Sequence, residues 1–145
     1  MRPKSLKEVV ELVEAGEDER STLAEFLDEF YMAIQDDREP QAMIDAEPSI
    51  TGKQLFDAYI GAMGEHLARR WGLITPPWVE DSRRFLDTPF FPDKLELMKP
   101  ILLRDSPIAF RRRLIFTEAE PLRRGRFPIV VTASTSRSRD RLSET

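Results

Sequence analysis

The sequence contains no cysteine and only one histidine, His66. The first absence removes disulfides, thiolate nucleophiles and cysteine-ligated zinc or iron–sulfur centres. The second leaves His66 without the further nitrogen or sulfur ligands that a zinc site needs, so no metal is expected there. Long apolar runs are missing too: no window approaches the ~20 apolar residues of a membrane-spanning helix. The opening stretch, Met1-Arg2-Pro3-Lys4-Ser5-Leu6-Lys7-Glu8, has positive charges with no apolar run behind them, unlike a secretory leader. A cytoplasmic location with no membrane contact is the expectation. There is no phosphate loop, dinucleotide fingerprint, nucleophile elbow or HExxH motif, and no internal repeat.

What is present reads as one globular domain. The chain has 145 residues, 41% of them hydrophobic and 33% charged, a mixture that supports a core under a wet surface. A single helical domain is expected over 1–126, followed by a flexible tail over 127–145, where serine, threonine and arginine dominate from 134 onward. The net charge of −4 hides a split. Residues 1–68 hold 16 acids against 6 bases, and residues 69–145 hold 10 acids against 16 bases. Either the two halves attract each other within one fold, or one half carries a face for a charged partner.

Apolar spacing predicts a mainly α fold: three longer N-terminal helices packed with short, proline-punctuated helices, with room for one short strand pair. Ser5 and Glu8 form a capping box, and Leu6, Val9, Val10 and Val13 follow on one helical face up to Gly16. Thr22 and Glu25 read as a second box ahead of Leu23, Phe26, Leu27, Phe30 and Ile34, with Glu25, Asp28 and Glu29 placed on the solvent side. A short helix is expected over 41–46. Thr51 signals a third long helix that reaches Trp71 and stops at Gly72, with Phe56, Ile60, Met63, Leu67 and Trp71 inward. Gly61 and Gly64 each cost that helix ~1 kcal/mol relative to alanine, which suggests close passage of another backbone.

Beyond Trp71, Pro76, Pro77, Pro89, Pro92, Pro100 and Pro107 cut the chain into short pieces. Short helices are expected over 77–86 and 94–99. Ser106 reads as an N-cap before Pro107, with one helical turn there and an extended run over 114–117. Residues 129–132 read as a short strand.

Few polar groups stand out as chemistry. His66 lies at the edge of its apolar stripe beside Glu65. The acidic run 17–19 suits a helix N-terminus. Trp71 and Trp78 bracket a proline turn, an arrangement that pins a loop to a core or stacks on a ligand. Arg111-Arg112-Arg113 is the densest basic cluster, followed by Arg123, Arg124 and Arg126. Three consecutive arginines on a helix span about 200°, so at most two share one partner. The expectation is a mixed role, with one arginine paired internally and the others exposed.

The stretch 71–124 carries a pattern. Trp71, Pro77-Trp78-Val79, Phe85-Leu86, Pro89-Phe90-Phe91, Leu95, Leu102-Leu103 and Ser106-Pro107 followed by Ala109-Phe110-Arg111-Arg112-Arg113 and Ile115-Phe116 resemble a family of small uncharacterised bacterial proteins. Members of that family are often encoded beside nucleotidyltransferase-like proteins in loci resembling toxin–antitoxin pairs. The pattern spans about a third of the chain. Leu114 stands where the family tends to have asparagine, and the tail after Arg126 does not fit. The family has no assigned catalytic residues, so the resemblance implies a neighbour-encoded protein partner and no catalytic set.

The function expected is therefore that of a non-enzymatic interaction protein, an antitoxin-like partner acting by occlusion. Docking is expected through Arg111, Arg112, Arg113, Phe110 and Trp78, or through the acidic helices. No cofactor and no metal are expected. The alternative is a nucleic-acid-binding regulator using the C-terminal arginines. An enzyme using carboxylates with magnesium is a third class, open because 26 acids are available.

Overall fold

The computed structural model describes residues 2–91, 103–117 and 119–124. The fold is mainly α, as the periodicity predicts. Helix α1 (Leu6–Glu14) starts where the first capping box places it, with the Ser5 hydroxyl accepting from the Glu8 amide at 3.1 Å. The Glu8 carboxylate accepts from the Lys4 amide at 2.7 Å, one residue before the cap itself. Helix α2 (Glu19–Asp36) begins earlier than Thr22 suggests. Asp18 is the cap, its carboxylate accepting from the Ser21 amide at 2.9 Å, which holds Asp18 below the usual carboxylate range. Thr22 is buried within the first turn and donates its hydroxyl to the Asp18 carbonyl at 2.7 Å.

Two left-handed residues, Asp37 (φ 53°) and Glu39 (φ 54°), turn the chain into the short helix α3 (Pro40–Asp45). Helix α4 (Gln54–Trp71) ends at Gly72 (φ 70°) as the sequence indicates. Its start differs from expectation, because Lys53 rather than Thr51 is the cap residue. Thr51 serves Asp57 instead. The buried Asp57 carboxylate gathers the Thr51 amide (3.0 Å), the Thr51 hydroxyl (2.8 Å) and the Gly52 amide (3.0 Å), fixing the loop before α4.

Past Gly72 the prolines produce two 3₁₀ turns, Pro77–Glu80 and Ser82–Arg84, in place of the single helix expected over 77–86. Helix α5 (Ile108–Arg111) is one turn capped by Pro107. Ser106 is not its cap: the Ser106 hydroxyl accepts from the Thr117 amide at 2.8 Å and donates to the Thr117 carbonyl at 3.0 Å. Leu114 (φ 65°) reverses the chain after α5. The strand pair reduces to one isolated parallel bridge between Phe90 and Ile115, and no sheet occurs among the described residues. The expected helix over 94–99, the strand over 129–132 and the tail lie outside the described residues.

Helix α4 is the centre. Helices α1 and α2 pack together, α3 bridges α1, α2 and α4, and the 3₁₀ turns and α5 cover the remaining face of α4. Phe26, Phe30, Ile60, Met63, Leu67 and Phe110 are fully enclosed in one core. The two inner glycines of α4 face side chains, not a backbone. A Cβ on Gly61 would lie 3.0 Å from Arg84 Cβ and 3.1 Å from Arg113 Nε, and one on Gly64 would lie 2.8 Å from the Trp78 ring.

Candidate interaction site

The arginine cluster divides by depth. Arg113 is fully buried, and the carboxylate it meets, Glu65 on α4, is equally enclosed. Arg113 Nη1 donates to Glu65 Oε1 at 2.6 Å and to the Ala109 carbonyl at 2.7 Å, while Nη2 donates to the Val79 carbonyl at 2.6 Å. Glu65 also accepts from Arg69 Nε at 2.7 Å and lies 3.2 Å from Arg112 Nε. Burial pushes the Glu65 carboxyl up, but hydrogen bonds from Arg113 and Arg69 and the nearby positive charges outweigh it and hold the group below its ordinary value. Burial lowers Arg113. Its guanidinium stacks on Phe85, 4.5 Å from the ring centre.

Arg112 stays near the surface, pairs with Glu80 as well as Glu65, and lies 5.2 Å from the Phe85 ring centre. Arg111 is exposed and forms no ion pair among the described residues. Of the five residues expected to dock a partner, Arg113, Phe110 and Trp78 therefore belong to the core. Phe110 is sealed between Tyr59 and His66, with ring centres at 5.5 and 5.7 Å. Trp78 donates its indole N–H to the Ile44 carbonyl at 2.9 Å, and Arg84 lies over its ring at 4.8 Å. The apolar rings gain from enclosure, and Arg113 goes in with them because Glu65 and the Ala109 and Val79 carbonyls meet its charge and its N–H groups.

The expectation for the acidic face of α2 is also corrected. Asp28 is buried, and Arg124 Nε donates to it at 3.0 Å from 96 positions away. Glu29 is half-buried and binds Arg2 and Lys4, each at 3.0 Å. Glu25 alone of the three is exposed. Trp71 is half-buried, packed edge-on against Tyr31 at 5.9 Å, with Arg70 over its ring at 4.6 Å.

His66 is enclosed more deeply than a helix-edge position suggests. Burial lowers its imidazole to about 4, so it is neutral at pH 7. Among the described residues no three His, Asp or Glu side chains come together as metal ligands do.

The surface feature with the size and chemistry of a binding site lies elsewhere. An open groove of about 600 Å³ runs between the N-terminal parts of α2 and α4. Leu27, Phe56, Met63 and Leu122 form its buried base, and Leu55 and Phe90 stand at its rim, 39% and 36% exposed. Glu19 is the one acid lining it, against four bases: Arg20, Lys53, Arg123 and Arg124. Lys53 faces Glu19 at 3.7 Å and Arg124 is held by Asp28, leaving Arg20 and Arg123 with no ion pair among the described residues. The 119–124 segment is fastened beside the groove by Tyr31, whose hydroxyl donates to the Leu122 carbonyl at 2.8 Å.

This groove escapes a reading based on one stripe per helix. Its signal is a second apolar line on α4, Leu55 and Tyr59, which faces the Leu23 and Leu27 edge of the main α2 stripe. Comparison of the chain with protein-family models, with curated proteins and with solved structures finds no match.

Proposed function

We propose that this chain is a non-enzymatic interaction protein that engages a protein partner through the groove between α2 and α4. The observation that supports this is the groove itself: an apolar channel of about 600 Å³ with two large exposed hydrophobics and, at its edge, two arginines that have no ion pair among the described residues. Water-exposed apolar surface framed by charge is the usual composition of a docking patch, and its centre contributes most of the affinity. An antitoxin-like pairing with a neighbour-encoded protein, the relation implied by the sequence resemblance, is the biological setting of this reading. Occlusion of the partner is the mechanism that needs no catalytic group.

The test is co-purification from the native host with wild-type protein and with Leu55→Asp. A stoichiometric protein partner retained by the wild type and lost by Leu55→Asp is the expected result. A partner retained equally by both variants refutes the groove. The second reading, a nucleic-acid-binding regulator, draws on Arg111 and Arg123, both exposed and without ion pairs among the described residues. Co-purified nucleic acid that is released steeply by salt, and more readily from Arg111→Ala and Arg123→Ala, favours it.

A further inference from the structure

The groove's chemistry narrows what it takes, and this step rests on the interaction reading above. We infer that its occupant is a short amphipathic helix of a protein partner, apolar on one face and acidic along the flanks.

Shape and charge carry the argument. The α2 side of the groove extends from Glu19 to Leu27. At 1.5 Å per residue that is about 12 Å, or two helical turns. A surface of that length accepts apolar side chains spaced at i, i+3 or i+4, and i+7, the pattern of a helix laid into a groove. A single extended strand would need an unpaired sheet edge beside it, and none of the lining elements is a strand. The charge then selects among helices. Among the described residues four bases and one acid line the groove, and the pairs formed by Lys53 and Arg124 leave Arg20 and Arg123 without an ion pair there. Seating a neutral or basic peptide would draw these guanidiniums out of water without compensation. Seating one with Asp or Glu at its flanks replaces lost hydration with charge-assisted hydrogen bonds.

A random twelve-residue peptide library displayed on phage and panned on the full-length protein tests this. Enriched sequences should carry two or three large apolar residues at helical spacing together with net negative charge. Synthesised and dye-labelled, they should bind wild type and lose at least about tenfold in affinity to Arg20→Glu and to Arg123→Glu. They should not bind Leu55→Asp measurably. All three positions lie at the surface or the groove rim, and thermal melting of each variant checks that the fold is retained.

Enriched peptides that are neutral or basic and still require Leu55 overturn the acidic helix while leaving the interaction reading intact. Myristate binding that is abolished by Leu55→Asp, with no acidic peptide enriched, assigns the groove to a lipid carboxylate instead. A wild-type dimer that Leu55→Asp converts to monomer assigns it to a second copy of the chain. Peptides that bind only after Ile129→Asp assign it to the chain's own C-terminal residues.

Discussion

Replacing Arg113 by methionine keeps most of the side-chain volume and removes the charge that faces Glu65. The carboxylate is then left enclosed with only Arg69 and Arg112 reaching it from the surface side. Breaking one partner of a buried pair costs ~3–5 kcal/mol, so the variant should show a large drop in urea midpoint with no selective loss of partner binding. Arg111→Ala, two residues away and exposed, should leave the midpoint within ~0.5 kcal/mol of wild type. His66 supplies the pH dependence. Its folded value of about 4 lies below the ordinary 6.5. The unfolded chain therefore binds the extra proton first, and stability falls as pH drops from above 6.5 towards 4. The loss attributable to this group approaches about 3 kcal/mol. The Glu65 carboxylate acts in the same direction only below its ordinary 4.5, so the interval from 6.5 to 4.5 belongs to His66. His66→Gln should flatten denaturation midpoints over that interval, and an unchanged slope would show that the imidazole is protonated without cost.

Helix α4 shows how an element is shaped by what covers it. Alanine at Gly64 gains ~1 kcal/mol of helix propensity, yet its Cβ meets the Trp78 ring at 2.8 Å and Val79 Cγ1 at 3.1 Å. Trp78 cannot yield freely, because its indole N–H is bound to Ile44 and Arg84 lies on its face. Gly64→Ala should therefore destabilise by ~1–3 kcal/mol, read as a lower melting temperature. On α2, Phe30→Ala should cost ~3–5 kcal/mol, since the ring is wholly enclosed. The periodic stripes of α1, α2 and α4 were legible in the sequence because burial of apolar groups at 3.6-residue spacing is a local pattern. Gly72 marked its helix end for an equally local reason. The caps at Asp18 and Lys53 were not, since Thr22 and Thr51 carry the hydroxyl expected of a cap but bind the Asp18 carbonyl and the Asp57 carboxylate instead. Nor was the fate of Asp28, Glu65, Arg84 and Arg113. Whether a charge is buried depends on a partner many positions away, and composition is silent about that pairing. The groove was hidden for the opposite reason: Leu55 and Phe90 are apolar, and apolar residues are assigned to a core unless geometry leaves them outside.

The molecule is stitched end to end by opposite charges, in keeping with the split between an acidic first half and a basic second half. Glu65 is met by Arg69, Arg112 and Arg113, and Asp28 by Arg124. Adjacent arginines in this last segment should behave differently. Arg124→Glu places a like charge against the buried Asp28 and should lower stability by about 1–3 kcal/mol in urea titration. Arg123→Glu, exposed and without an ion pair among the described residues, should leave stability within ~0.5 kcal/mol while weakening acidic-peptide binding. Equal losses of stability in the two variants would mean that the segment is held by its backbone alone.

The contact between Glu65 and Arg113 also has a direction in time. Synthesis delivers Glu65 with its long helix 48 positions before the arginine that completes it. Until then the Gly61 side of α4 has Arg84 but not the Arg113 guanidinium, and a carboxylate destined for the interior lacks its innermost partner. A chain interrupted before residue 113 should therefore hold α1 and α2 together while α4 exchanges its amide hydrogens freely. Quality-control proteases would meet such a fragment with its central helix covered by the 3₁₀ turns but not by α5, and the last arginine of the cluster decides when that window closes.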